Sequence, residues 1–85
     1  MKVRVLYFAS VREKLGRSAE EVELPAELAT IAGLRSHLRL RGGAWAEALA
    51  DTRLLRAAVN QDMSQPAATI KSGDEIAFFP PVTGG

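Results

Sequence analysis

The chain has no cysteine in its 85 residues. That removes a disulfide framework, a thiolate nucleophile, a persulfide carrier and any cysteine-based zinc site. It has one histidine, His37, which excludes a multi-histidine metal centre, and no metal site is expected. Charge of one sign is also lacking. Eleven lysines and arginines face ten acids, for a net charge of +1. Bulk attraction to nucleic acid or to anionic lipid is therefore not indicated. No apolar run approaches the ~20 residues that span a bilayer. The opening M-K-V-R-V-L-Y-F-A-S lacks the apolar core and cleavage site of a signal peptide, so the expected location is the cytoplasm. The phosphate-binding patterns G-x-x-x-x-G-K-S/T and G-x-G-x-x-G are missing, as is H-E-x-x-H. At this length one domain, residues 1–85, is expected, with no room for a second core.

What is present is a clear change of period along the chain. From Lys2 to Ala9, the residues Val3, Val5 and Tyr7 alternate with Lys2, Arg4 and Leu6, which predicts a strand. Val11 to Leu15 reads as one helical turn stopped by Gly16. Ala19 to Leu24 predicts a second strand, paired with the first, with Val22 and Leu24 on one face and Glu21 and Glu23 on the other. Pro25 ends it. Thr30 is a candidate N-cap for a helix in which Ile31, Leu34 and Leu38 form an apolar stripe. Arg35, Arg39 and Arg41 suit the negative end of that helix, and Gly42-Gly43 stops it. Ala44 to Leu49 reads as a short second helix. Leu55 to Asn60 predicts a strand, Asn60 to Ser64 a polar turn, and Ala68 to Lys71 is ambiguous. Lys71-Ser72-Gly73-Asp74 is a turn signal before the strand Glu75 to Phe79. Strand, strand, helix, strand, short segment, strand is the pattern of an α+β β-grasp fold, a mixed sheet packed on one main helix.

Few residues could carry chemistry. His37 lies mid-helix and reads as a partly exposed helix residue. Glu20, Glu21, Glu23 and Glu27 could pair as carboxylates, but read more simply as a solvated edge. Arg35, Arg39, Arg41, Arg53 and Arg56 have a single aromatic among them, Trp45, so they suit an acidic partner better than nucleic acid. The C-terminal end is different. Pro80 and Pro81 fix φ and give a stiff base to a projecting tail, residues 80–85. Val82 and Thr83 favour an extended form that a partner can grip. Gly84 and Gly85 lack a Cβ and can enter a narrow channel. Extended, Val82 to Gly85 reach roughly 13 Å, at ~3.3 Å per residue. A terminal carboxylate, of pKa about 3.5, is an anion at neutral pH and needs activation before acyl transfer. ATP can supply this as an acyl-adenylate, which then accepts sulfur or an amine.

The run Gly73-Asp74-Glu75-Ile76-Ala77-Phe78-Phe79-Pro80-Pro81-Val82-Thr83-Gly84-Gly85 resembles the C-terminus of the small subunits of molybdopterin synthase. So do Val5-Leu6-Tyr7-Phe8-Ala9-Ser10-Val11-Arg12-Glu13 and Ala57-Ala58-Val59-Asn60-Gln61. The resemblance covers the whole chain, apart from a less similar stretch around Gly33 to Trp45. It implies a ubiquitin-like β-grasp fold and a sulfur carrier for molybdenum cofactor biosynthesis. On that resemblance, Gly85 is adenylated by a ubiquitin-activating-like adenylyltransferase that uses ATP. A sulfur donor protein then gives a C-terminal thiocarboxylate. Gly84 and Gly85 enter the active site of the large synthase subunit, where sulfur passes to a pterin precursor. The resemblance also implies an assembly of two small and two large subunits. The chain itself binds no cofactor and has no independent active site.

The expected docking surface is Phe8, Met63 and Phe79, bordered by Arg12 and continued by Pro80, Pro81, Val82 and Thr83. Exposed apolar clusters mark partner sites, and methionine suits a surface used by two partners. Phe79 taken alone reads equally well as core. Two other readings use the same tail: a protein modifier joined to lysines through Gly85, and a sulfur carrier of another pathway, for thiamine, cysteine or transfer-RNA thiolation.

Overall fold

A computed structural model describes residues 1–81. The expected tail positions Val82, Thr83, Gly84 and Gly85 lie outside the described residues. The elements are β1 (Lys2–Tyr7), α1 (Ala9–Leu15), β2 (Ala19–Glu23), a 3₁₀ turn (Ala26–Leu28), α2 (Ile31–Arg39), α3 (Gly43–Ala48), β3 (Arg56–Val59), β4 (Asp62–Ser64) and β5 (Glu75–Phe79). The five strands form one mixed sheet in the order β2-β1-β5-β3-β4. β1 runs antiparallel to β2 and parallel to β5, while β3 runs antiparallel to both β4 and β5. This is the expected β-grasp.

Alternation on the strands decides which face is covered. Val3, Val5 and Tyr7 of β1, and Ile76 and Phe78 of β5, are buried with Val22, Ile31, Leu34 and Leu38 in one core. The helical stripe was legible because α2 presents the same face at every third or fourth residue. Thr30 caps α2, its Oγ1 accepting from the Gly33 N–H at 2.9 Å. Gly33 is required by a close approach: a Cβ there would lie 2.3 Å from the Leu28 carbonyl oxygen of the 3₁₀ turn.

Four differences from the sequence expectations have local causes. First, β1 ends at Tyr7 rather than Ala9. Ala9 turns to φ 52° and starts α1, which has seven residues rather than one turn. Second, α2 ends at Arg39, two residues short of the expected stop at Gly42-Gly43, because Gly42 serves as the N-cap of α3, which starts at Gly43. Third, the stretch expected as a polar turn, Asn60 to Ser64, contains β4. Only Asn60 and Gln61 turn, both with positive φ (49° and 73°), which is the signature of a type I′ hairpin. Fourth, the ambiguous stretch Ala68 to Lys71 is mostly irregular, with Thr69 bridging to Thr30. No helix among the described residues is long and apolar enough to cross a membrane.

Candidate functional site

The sheet face turned away from the helices holds the expected surface. Pairing carries one row across it: Ala19, Leu6, Ala77, Ala58 and Met63. A second row lies toward the C-terminal end of β5, where Phe79 pairs with Arg56. Phe8 stands one step beyond the Tyr7–Phe78 pair, and its N–H donates to the Phe78 carbonyl at 3.2 Å. Its backbone is extended (φ −125°, ψ 157°), so the alternation continues and places Phe8 beside Phe79 on the open face.

Exposure follows from this geometry. Phe8 is 44% exposed and Met63 59%, large values for apolar side chains. Phe79 is half-buried, whereas Phe78, one residue earlier, is a fully buried core side chain. The open reading of Phe79 is thus resolved by parity: it belongs to the face opposite the core. Arg12 is exposed on α1, one helical turn after Phe8, whose carbonyl accepts the Arg12 N–H. Pro80 and Pro81 continue directly from β5 and are half-buried. The structure therefore brings Phe8 and Phe79 together and sets Met63 at the far end of the neighbouring row.

On the opposite, helix-covered side of the sheet lies a polar cluster that sequence reasoning missed. The Tyr7 hydroxyl and Arg41 Nη1 both donate to Glu20 Oε2, each at 2.8 Å, and Arg17 Nη1 donates to Oε1 at 3.2 Å. Trp45 packs against two guanidinium groups, with Arg41 4.4 Å and Arg17 5.3 Å from the ring centroid. It also meets Tyr7 edge-on at 5.6 Å. Burial raises the Tyr7 phenol above its ordinary value, and its bond to Glu20 adds to the effect. Burial opposes ionisation of Glu20, but the bonds from Arg41 and Tyr7 outweigh it and hold the carboxyl below its usual range. Glu20 is therefore no part of a solvated edge, unlike exposed Glu21, Glu23 and Glu27. The signal was available, since Glu20 shares the parity of Val22 and Leu24. The cluster clamps β1, β2 and the α2–α3 region together.

The arginines once grouped as a patch have separate tasks. Arg35 donates to the carbonyls of Leu49, Ala50 and Arg53, while Arg39 pairs with Asp51. Asn60 fastens the β3–β4 hairpin to the turn before β5: its amide donates to Asp74 Oδ1 at 3.0 Å and its Oδ1 accepts the Glu75 N–H at 3.0 Å. That amide and the Lys71 N–H hold the Asp74 carboxyl below its usual range. Among the described residues no group of three or more histidine or acidic side chains is placed to hold a metal ion.

Comparison with known proteins agrees with this architecture. The ThiS family model matches residues 5–85. The molybdopterin synthase sulfur carrier subunit of Escherichia coli is 48% identical over 98% of this chain and 99% of its own length. That of Haemophilus influenzae is 46% identical over the same shares. A protein–protein complex of subunits 1 and 2 of the molybdopterin-converting factor from Helicobacter pylori contains a chain of the same fold. That chain matches at a TM-score of 0.65 and 23% identity, with all of both chains covered. On the family model and on these near-full-length identities, the chain belongs to the ThiS family.

Proposed function

We propose that this chain is the sulfur carrier small subunit of a molybdopterin synthase, with Gly85 as the residue that carries the sulfur. The observation that carries the reading is near-half identity to two such subunits over essentially the whole chain. The open face supports it, because an apolar cluster directly beside the strand leading into Pro80 is where a partner that grips the tail would dock.

The chemistry follows from the tail. The Gly85 carboxylate attacks the α-phosphorus of ATP, pyrophosphate leaves, and an acyl-adenylate forms on a ubiquitin-activating-like adenylyltransferase. A donor protein delivers sulfur at the sulfide level, which attacks the acyl carbon, expels AMP and leaves a thiocarboxylate. In the large subunit the sulfur passes to the pterin precursor, and oxygen from water restores the carboxylate. Gly84 and Gly85 present no side chain to the channel, and Val82 and Thr83 offer backbone for the partner to pair with. Phe8, Phe79 and Met63 form the docking face, Arg12 borders it, and Pro80 and Pro81 aim the tail. The partners are the large subunit, in an assembly of two small and two large chains, together with the adenylyltransferase and the sulfur donor, all in the cytoplasm. The Helicobacter pylori complex of subunits 1 and 2 supports the first of these.

The test is intact mass. After incubation with the adenylyltransferase, ATP and a sulfur donor, one oxygen at Gly85 is replaced by sulfur. Deleting Gly85 leaves the fold intact and abolishes sulfur transfer. A truncated chain that still supports molybdopterin formation overturns the proposal.

A further inference from the structure

On the helix side of the sheet lies a groove that shares Met63 with the open face but not Phe8 or Phe79. It opens between α2 and the β3–β4 ladder and has a volume of about 350 Å³. That is at the lower end of the ~300–1,000 Å³ range of ligand clefts. Its floor is apolar and includes the core side chains Ile31 and Phe78. Arg35 and Arg39 stand along α2, and Ser64 and Gln65 face them from the end of β4, an edge strand of the sheet.

Both ends of the groove are tied down. At one end the carbonyls of Pro66 and Ala68 accept from the Ala32 and Ile31 N–H groups at 2.9 and 3.1 Å. At the other, Arg35 straps the Leu49–Arg53 segment through three carbonyls. The site is thus formed before anything enters it, which lowers the cost of binding.

Charge identifies the occupant. Residues 35–56 hold five arginines against Glu47 and Asp51, while residues 19–27 hold four glutamates and no base. Arg35, Arg39 and Arg56 line the groove against a single acid, Asp51, and Arg35 hydrogen-bonds only neutral carbonyls. Arg39 is paired with Asp51, whose side chain is 82% exposed. An ion pair that open to water contributes little, so an incoming carboxylate can replace it. A small anion would leave the apolar floor uncovered. Nucleic acid would find no exposed aromatic to stack on beside the arginines.

We propose that this groove docks a segment of a partner protein bearing one large apolar side chain flanked by carboxylates. The side chain fills the floor and the carboxylates meet Arg35 and Arg39. Phe8 and Phe79 lie on the opposite face of the sheet, and Met63 is the one member of that trio that also lines the groove.

The experiment is an amide nuclear magnetic resonance titration of the full chain. The probe is a capped octapeptide with a central phenylalanine between aspartates and glutamates. Controls replace the acids by lysine or the phenylalanine by alanine. The proposal expects saturable shifts at Ile31, Ser36, Arg39 and Gln65, small shifts at Leu6 and Ala77, and no saturation with either control. Arg39→Glu weakens binding at least tenfold. Ser36→Glu, at an exposed helix position that folding tolerates, does the same. A chain lacking Gly85 binds unchanged, which separates this proposal from the sulfur-carrier reading. Shifts centred on the open face, equal responses to the lysine peptide, or no saturable response overturn it.

Discussion

Gly33 and Glu20 each hold a position that another side chain cannot fill. At Gly33 a Cβ would collide with the backbone of the 3₁₀ turn, which cannot swing aside as a flexible side chain would. Gly33→Ala is expected to cost about 1–3 kcal/mol, the usual range for overpacking, although alanine is the better helix former. Urea unfolding followed by Trp45 fluorescence measures it. Glu20 links stability to pH. Its folded pKa lies below its unfolded value, so the folded state binds its proton less readily. Its contribution is complete above the ordinary glutamate value of ~4.3 and is lost as pH falls through the lowered one. Glu20→Gln should therefore be less stable than the parent at pH 7. It should also lose less stability on acidification from pH 6 to pH 3, as thermal melts at each pH will report.

The elements differ in how far their sequences announce them. β1 and β5 alternate cleanly, and α2 carries a cap and a stripe, so all three were legible, although Leu40 is the C-cap of α2 and Gly42 caps the start of α3 instead. β4 was not, because Asp-Met-Ser has little intrinsic strand preference and pairs only because the preceding turn folds it back. The start of α1 was hidden for a related reason: Phe8-Ala9-Ser10 continues the strand pattern until Ala9 leaves it at φ 52°. Glu20 was misplaced because its neighbours in sequence are solvated, while its partners, Tyr7 and Arg41, are distant in the chain. The departure of Phe8 from the core, by contrast, could be read from its parity with Tyr7, whereas Phe79 was settled only by its pairing. The hairpin offers a direct test of the turn argument. Gln61 adopts φ 73°, a conformation that glycine takes without steric cost, and Asn-Gly is the preferred type I′ pair. Gln61→Gly should stabilise the protein by up to about 1 kcal/mol. Asn60→Ala should destabilise it by about 1–3 kcal/mol through lost bonds to Asp74 and Glu75. Both are read from denaturant midpoints at unchanged slope.

At the scale of the whole molecule, the β-grasp divides β5 between a covered and an open face, and it does so within two adjacent residues. Phe78 and Phe79 are consecutive on β5, yet Phe78 is buried under the helices and Phe79 faces away from them. Removing the Phe78 ring leaves a cavity at the centre of the core, at a cost of about 3–5 kcal/mol. For so small a domain that is a large share of the total. Removing the Phe79 ring opens no core cavity, so stability should fall by well under half as much. Binding should respond in the opposite sense. If the open face docks the large subunit, Phe79→Ala and Phe8→Ala each remove an aromatic from the centre of the contact. Each should weaken association at least tenfold, and the two together more than either alone, since neighbouring hot-spot residues act as a unit. Calorimetric titration of each variant against the large subunit, paired with its denaturation curve, separates the two roles. A Phe79→Ala protein that binds normally, or that unfolds as readily as Phe78→Ala, would show that the open face is not the docking surface.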